Sequence, residues 1–133
     1  MAIIFDADVI IRGEKGTFDL AAWMASQSNE PFEIAAITVA ELWHGVERAT
    51  GIHRAKRERY IRSFLDLLPI LPYTEVTALE HARIWAELES VGAMIGSYDL
   101  IVAATAMERS RTVATFNQRH FAHVRGLNVI KPK

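Results

Sequence analysis

The spacing of apolar positions changes several times along this chain, and each change marks an element. The run Ala2 to Phe5 is continuous, ends at Asp6 and is too short for a buried helix, so it predicts a buried strand of the parallel kind. Leu20, Ala21, Trp23 and Met24 fall on a helical stripe, which Asn29, Glu30 and Pro31 break before a second apolar run, Ile34 to Ile37. Strand, helix and strand make a first βαβ unit. The spacing predicts further helices over Thr38 to Ala49, stopped near Gly51, and over Ala55 to Leu68, where Tyr60, Phe64, Leu67 and Leu68 share a face. Pro69 and Pro72 bracket a short extended segment, Thr77 to Val91 reads as a long helix, and Gly92 to Gly96 reads as a loop. Asp99 to Arg109 is apolar nearly all round, which predicts a helix buried on most sides in the middle of the molecule. Thr112 to Thr115 and Leu127 to Ile130 complete the pattern as strands. This alternation favours a three-layer α/β domain around a mainly parallel sheet.

Polar residues stand out where these elements begin and end. Asp6 follows AIIF, Glu41 lies in TVAEL, Asp99 in IGSYDLIVAATA and Asn117 in TFNQRHF. Ligands of open α/β sheets bind outside the carboxyl edge, so convergence of these positions would create an oxygen-lined site suited to Mg²⁺ or Mn²⁺. Each residue also has a structural reading. Thr38-Val-Ala-Glu41 has the form of a capping box, as does Thr77-Ala-Leu-Glu80, where no chemistry is in view. Asp99 would complement a helix dipole and Asn117 would cap a helix. Asp6 resists this treatment, because a carboxylate at the end of a buried strand with Asp8 close behind needs a cation or donors to offset repulsion. Asp8 itself would serve as a cap for the next turn.

Composition narrows the picture. With 133 residues, half of them hydrophobic, residues 1–133 form one domain with a core of its own. A formal net charge of −1 gives no global attraction to nucleic acid, so any polyanion site must be a local patch. The tract Arg48, Arg54, Lys56, Arg57, Arg59 and Arg62 is the candidate, with Arg119 and His120 nearer the suspected site; a solvated helix face is the competing reading. Trp43 stacks on a base or packs in the core. The absence of cysteine excludes disulfides, thiolate zinc sites and a cysteine nucleophile. MAIIFDADVII lacks a signal-peptide pattern, and no run approaches the roughly 18 apolar residues of a spanning helix, so a cytoplasmic protein with no membrane association is expected.

The motifs IIFDADVI, ITVAELWHGVERA, GAMIGSYDLIVAATA and TFNQRHFAHVRGLNVI, in this order and spacing over nearly the whole chain, resemble the PIN-domain ribonucleases, and within them the VapC-type toxins. The resemblance implies an α/β/α sandwich with acidic residues gathered at one pole around Mg²⁺ or Mn²⁺. It implies that Asp6, Glu41 and Asp99 hold the metal, that Asn117 takes the fourth catalytic position, and that Thr115 is a polar neighbour. Asp8 departs from the commoner Asn or Ser, and either supports a second cation or faces solvent. The implied activity is hydrolysis of single-stranded RNA to 5′-phosphate and 3′-hydroxyl ends; the basic residues that would grip its phosphates, Arg48, Arg54, Arg57 and Arg119, come from the charge pattern above and not from the resemblance. The implied partners are an antitoxin, lying across apolar helices between Leu20 and Leu68, and a second copy in a homodimer.

Two other readings stay open at this stage. FDADVI also fits the opening of haloacid dehalogenase-like phosphatases, in which Asp6 would be the nucleophile and Asp8 the acid/base. That chemistry needs a phosphate-binding lysine, and lysines occur only at positions 15, 56, 131 and 133. The second alternative is a PIN module that binds RNA or protein without catalysis.

Overall fold

The structure, a computed structural model, describes residues 2–27 and 29–133. Strand β1 (Ile3–Phe5) leads through α1 (Ala7–Lys15) and α2 (Leu20–Ser26) to β2 (Phe32–Ala35). The chain continues through α3 (Ala36–Arg48), α4 (Gly51–Leu67), β3 (Ile70–Leu71), α5 (Glu75–Ser90) and α6 (Ser97–Arg109). It ends with β4 (Thr112–Ala114), α7 (Gln118–Phe121) and β5 (Asn128–Ile130). Among the described residues the strands form one sheet in the order β3-β2-β1-β4-β5, and every pairing is parallel.

Side-chain alternation in these short strands sorts the core into two layers. Ile3, Phe5, Ile34 and Ala114 face one cluster with α1, α2, α3 and α4, while Ile4 and Val113 face the other with α5 and α6. Phe5 stacks on Phe32 at 5.1 Å between ring centres, and Trp23 tilts against both. On the opposite face, Val102, Ala103, Ala104 and Ala106 of α6 are wholly buried. Their small side chains let this helix lie close to the sheet, as its all-round apolar sequence predicts. The three-layer α/β/α expectation holds, with β1 at the centre because its residues are apolar towards both layers.

Several boundaries differ from the sequence expectation for identifiable reasons. Helix α1 is absent from the sequence reading, which assigns no element between Asp6 and Leu20. Asp6 caps it instead, its Oδ1 accepting the Ala7 N–H at 2.9 Å, and Gly16 ends it at φ 74°, a conformation that favours glycine. The second strand runs Phe32–Ala35 rather than Ile34 to Ile37, and α3 starts directly behind it at Ala36. Thr38 is therefore inside the helix and the expected Thr38–Glu41 capping box does not form. The Thr77–Glu80 box is likewise displaced: Thr74 caps α5, and Thr77 is its partner.

Replacing Phe5 by Ala removes a wholly buried ring from the centre of one layer. The expected cost is about 3–5 kcal/mol of unfolding free energy, measured by urea denaturation.

Candidate metal centre and active site

The carboxyl ends of β1 and β4 and the starts of α1, α3, α6 and α7 meet at one pole. Asp6 leaves β1 with its backbone N–H bonded to the Ala114 carbonyl at 2.9 Å, so it sits beside the end of β4. Its second carboxylate oxygen accepts the Thr115 hydroxyl at 2.8 Å. The Thr115 oxygen in turn accepts the Asn117 N–H at 3.0 Å, which shapes the turn between β4 and α7. Asp99 lies in the first turn of α6, where Oδ2 contacts His120 Nδ1 at 2.8 Å. Glu41 comes from the second turn of α3.

Electrostatics tie these groups together. Asp6, only 5% exposed, has its pKa raised to about 6, first by burial and then by Asp8 and Asp99, against the Thr115 and Ala7 hydrogen bonds that favour the anion. Glu41 is raised to about 7 by burial and by Asp6, Asp99 and Asp8. Burial also raises Asp8, while backbone donors and the Arg12 guanidinium oppose the shift. The mutual repulsion shows that the structure brings Asp6, Asp8, Glu41 and Asp99 into one electrostatic cluster.

The donor chemistry fits a hard divalent cation. All four carboxylates offer oxygen, and Glu41 Oε1 is buried without a hydrogen-bond partner among the described residues. Among those residues no three acidic or histidine side chains already stand at coordination spacing, so the carboxylates would have to rearrange to ligate an ion. Beside them, Glu41, Tyr98 and Asp99 line an open cleft of about 520 Å³. A second cleft of about 410 Å³ on the far side of Asp99 is lined by Met94, Arg119, His120 and His123.

Asp8 is more firmly held than the sequence suggests. Its Oδ2 accepts the Phe116 N–H at 3.0 Å and Asn117 Nδ2 at 3.1 Å, so this carboxylate anchors the β4–α7 turn. Asn117 is at the start of α7, but its side chain makes no cap. Arg54 and Arg57 are paired with Glu47 and Glu14, at 3.1 and 3.2 Å. Arg57 and Arg48 share a basic cleft with Gly45, whose missing side chain leaves room for the Arg57 guanidinium. His120 is exposed while Phe121 is buried, so only the second packs inside. Trp43 is half-buried under Arg62, 4.9 Å from the ring centre. Arg12 and Phe116 lie outside the residues singled out from the sequence. The Asp8–Arg12 spacing of four is the signal that recognition of α1 would have supplied.

Residues 3–127 match the family model of the PIN domain. Ribonuclease VapC1 of Rickettsia felis is 30% identical over 131 residues, which cover 98% of this chain and 96% of that protein. The chain belongs to the PIN-domain family, in its VapC branch. Among solved structures, VapBC2 from Rickettsia felis bound to a DNA fragment from their promoter superposes with a TM-score of 0.89 at 21% identity, covering 100% of both chains. VapBC-5 from Mycobacterium tuberculosis, a member of the VapBC family of toxin-antitoxin systems, gives a TM-score of 0.73 at 26% identity and covers 100% of this chain and 99% of that one.

Asp6 and Glu41 retain protons in the folded chain at pH values where the unfolded chain has released them. In EDTA, stability therefore falls as pH rises from about 4 to about 7 and then levels off. A cation that binds the ionised carboxylates stabilises the fold more at pH 8 than at pH 5. Thermal melts across this range, with EDTA and with Mn²⁺, are expected to diverge steadily above pH 6.

Proposed function

We propose that this protein is a Mg²⁺- or Mn²⁺-dependent endoribonuclease of the cytoplasm, the toxin of a toxin–antitoxin pair, with residues 1–133 acting as one PIN domain. The observation that carries this reading is the cluster of mutually repelling carboxylates at the sheet's carboxyl edge, Asp6 buried and Glu41 half-buried with an unpartnered oxygen. Membership of the VapC branch supports the activity, because VapC1 of Rickettsia felis is a ribonuclease. The same membership removes the ground for a haloacid dehalogenase-like phosphatase. Asp8, the acid/base that reading requires, is instead bonded to the Phe116 and Asn117 N–H groups.

Asp6, Glu41 and Asp99 would hold the ion. When bound, it supplies a lowered pKa for water and neutralises charge on the phosphate and the leaving oxygen. The protein's own groups do the positioning. Thr115 and the Ala7 N–H orient the Asp6 carboxylate from two sides, and His120 orients Asp99. Asn117 completes the catalytic set from the β4–α7 turn, and Thr115 and Asp8 are accessory to it. Arg48 and Arg119 line clefts open to RNA, whereas Arg54 and Arg57 contribute less because Glu47 and Glu14 neutralise them. Hydrolysis leaves 5′-phosphate and 3′-hydroxyl ends.

Partner binding has structural room. A groove of about 600 Å³ lined by Phe18, Leu20, Met24, Tyr60, Phe64 and Leu67 accepts an apolar antitoxin segment between α2 and α4. Exposed Val76, Leu79 and Trp85 on α5 support association of two copies into a homodimer.

Purified protein incubated with total cellular RNA in Mg²⁺ is expected to give discrete cuts with 5′-phosphate ends that EDTA abolishes. Asp6→Asn and Glu41→Gln should each slow cutting by roughly 10²–10³-fold while leaving the protein folded. Absence of cutting by folded protein in both metals would identify a binding module instead.

A further inference from the structure

Helix α1 carries Asp8, Arg12 and Lys15 at the spacing of one helical stripe. The stripe begins among the carboxylates, and it ends at a cleft of about 340 Å³ that Lys15 lines with His53 and Lys56. Arg12 stands between the two. Its guanidinium carbon lies 4.2 Å from the centre of the Phe116 ring. That ring meets Phe18 edge-on at 5.1 Å, and the Phe116 backbone N–H donates to Asp8. The platform under Arg12 is thus attached to the acidic site through Asp8.

Several other arginines in this structure are held by acids. Arg54, Arg57, Arg83, Arg109 and Arg111 each pair with a glutamate. Arg12 is exposed, and no side-chain hydrogen bond ties its guanidinium to another described residue. Stacking on an aromatic face leaves the N–H groups of a guanidinium free at its edge, where they match phosphate oxygens in a bidentate fork. A ring that holds the plane also reduces the side-chain freedom lost on binding. RNA approaching four carboxylates meets repulsion, and the Arg12 cation at their border, which also offsets the charge of Asp8, opposes it.

We infer that Arg12, laid on Phe116, is a phosphate clamp that holds single-stranded RNA at the mouth of the acidic site. This rests on the ribonuclease reading for its substrate class and adds a substrate-binding residue to it. Lys15 extends the path away from the site. Lysine at position 12 would keep the charge and lose the flat fork.

The test is binding of a fluorescein-labelled single-stranded RNA oligonucleotide, followed by anisotropy in EDTA, where the proposed reaction is silent. Wild-type protein, Arg12→Ala, Arg12→Lys and Phe116→Leu are compared across a KCl series, with thermal melts to establish that each is folded. Arg12→Ala is expected to bind roughly tenfold more weakly, with the slope of log affinity against log salt shallower by about 0.7. Arg12→Lys should keep the slope and recover only part of the affinity, and Phe116→Leu should give an intermediate loss. Unchanged affinity and slope in folded Arg12→Ala, or no RNA binding by wild-type protein, overturns the clamp. Cleavage of total RNA in Mg²⁺ by the same proteins reports separately on the enzyme. Arg12-dependent binding without cleavage would leave the clamp standing and sink the ribonuclease reading.

Discussion

The hydrogen bond from the Thr115 hydroxyl to the Asp6 carboxylate joins the ends of two neighbouring strands at the point where charge is least welcome. A carboxylate so nearly enclosed loses most of its hydration, and two more acids, Asp8 and Asp99, raise its energy further. The fold tolerates this because apolar layers on both faces of β1 hold the backbone in place whatever the side chain would prefer. Helix direction helps as well. Asp6 caps α1 and Asp99 lies in the first turn of α6, so two positive helix ends point towards the acids. Residual repulsion is the property that makes the cluster receptive to a cation.

Much of the architecture was legible because the strands are short and differ sharply from the helices. Ala2 to Phe5 is a run without polar interruption, and the apolar Leu100 to Met107 stretch permits little except a central helix. The layer assignment follows from alternation alone. What escaped was the transition from strand to helix. At both Asp6 and Ala35 the chain turns within a single residue, so apolar side chains continue across the boundary and no loop marks it. Helix α1 was lost in this way, and α3 was begun two residues too late.

The candidate site was legible in its members and obscure in its wiring. Asp6, Glu41, Asp99 and Asn117 announce themselves by position, and the family resemblance groups them. Which carboxylate is free and which is engaged depends on contacts between residues far apart in sequence. Asp8 is held by the Phe116 N–H, Glu41 retains an unpartnered oxygen, and Asp99 meets His120. No spacing rule encodes those contacts. The basic tract shows the same limit, since the pairing of Arg57 with Glu14 arises only where α4 crosses α1.

The Thr115–Asp6 contact closes a loop of 109 residues, and both neighbours of β1 in the sheet arrive later in the chain. Synthesis proceeds from the N-terminus, so Asp6 leaves the ribosome long before its partner exists. A nascent chain that has not yet released β4 lacks the strand that seats the carboxylate, and lacks Asn117 as well. The seat of Asp6, on this architecture, is completed late in translation, once β4 and Thr115 have been made.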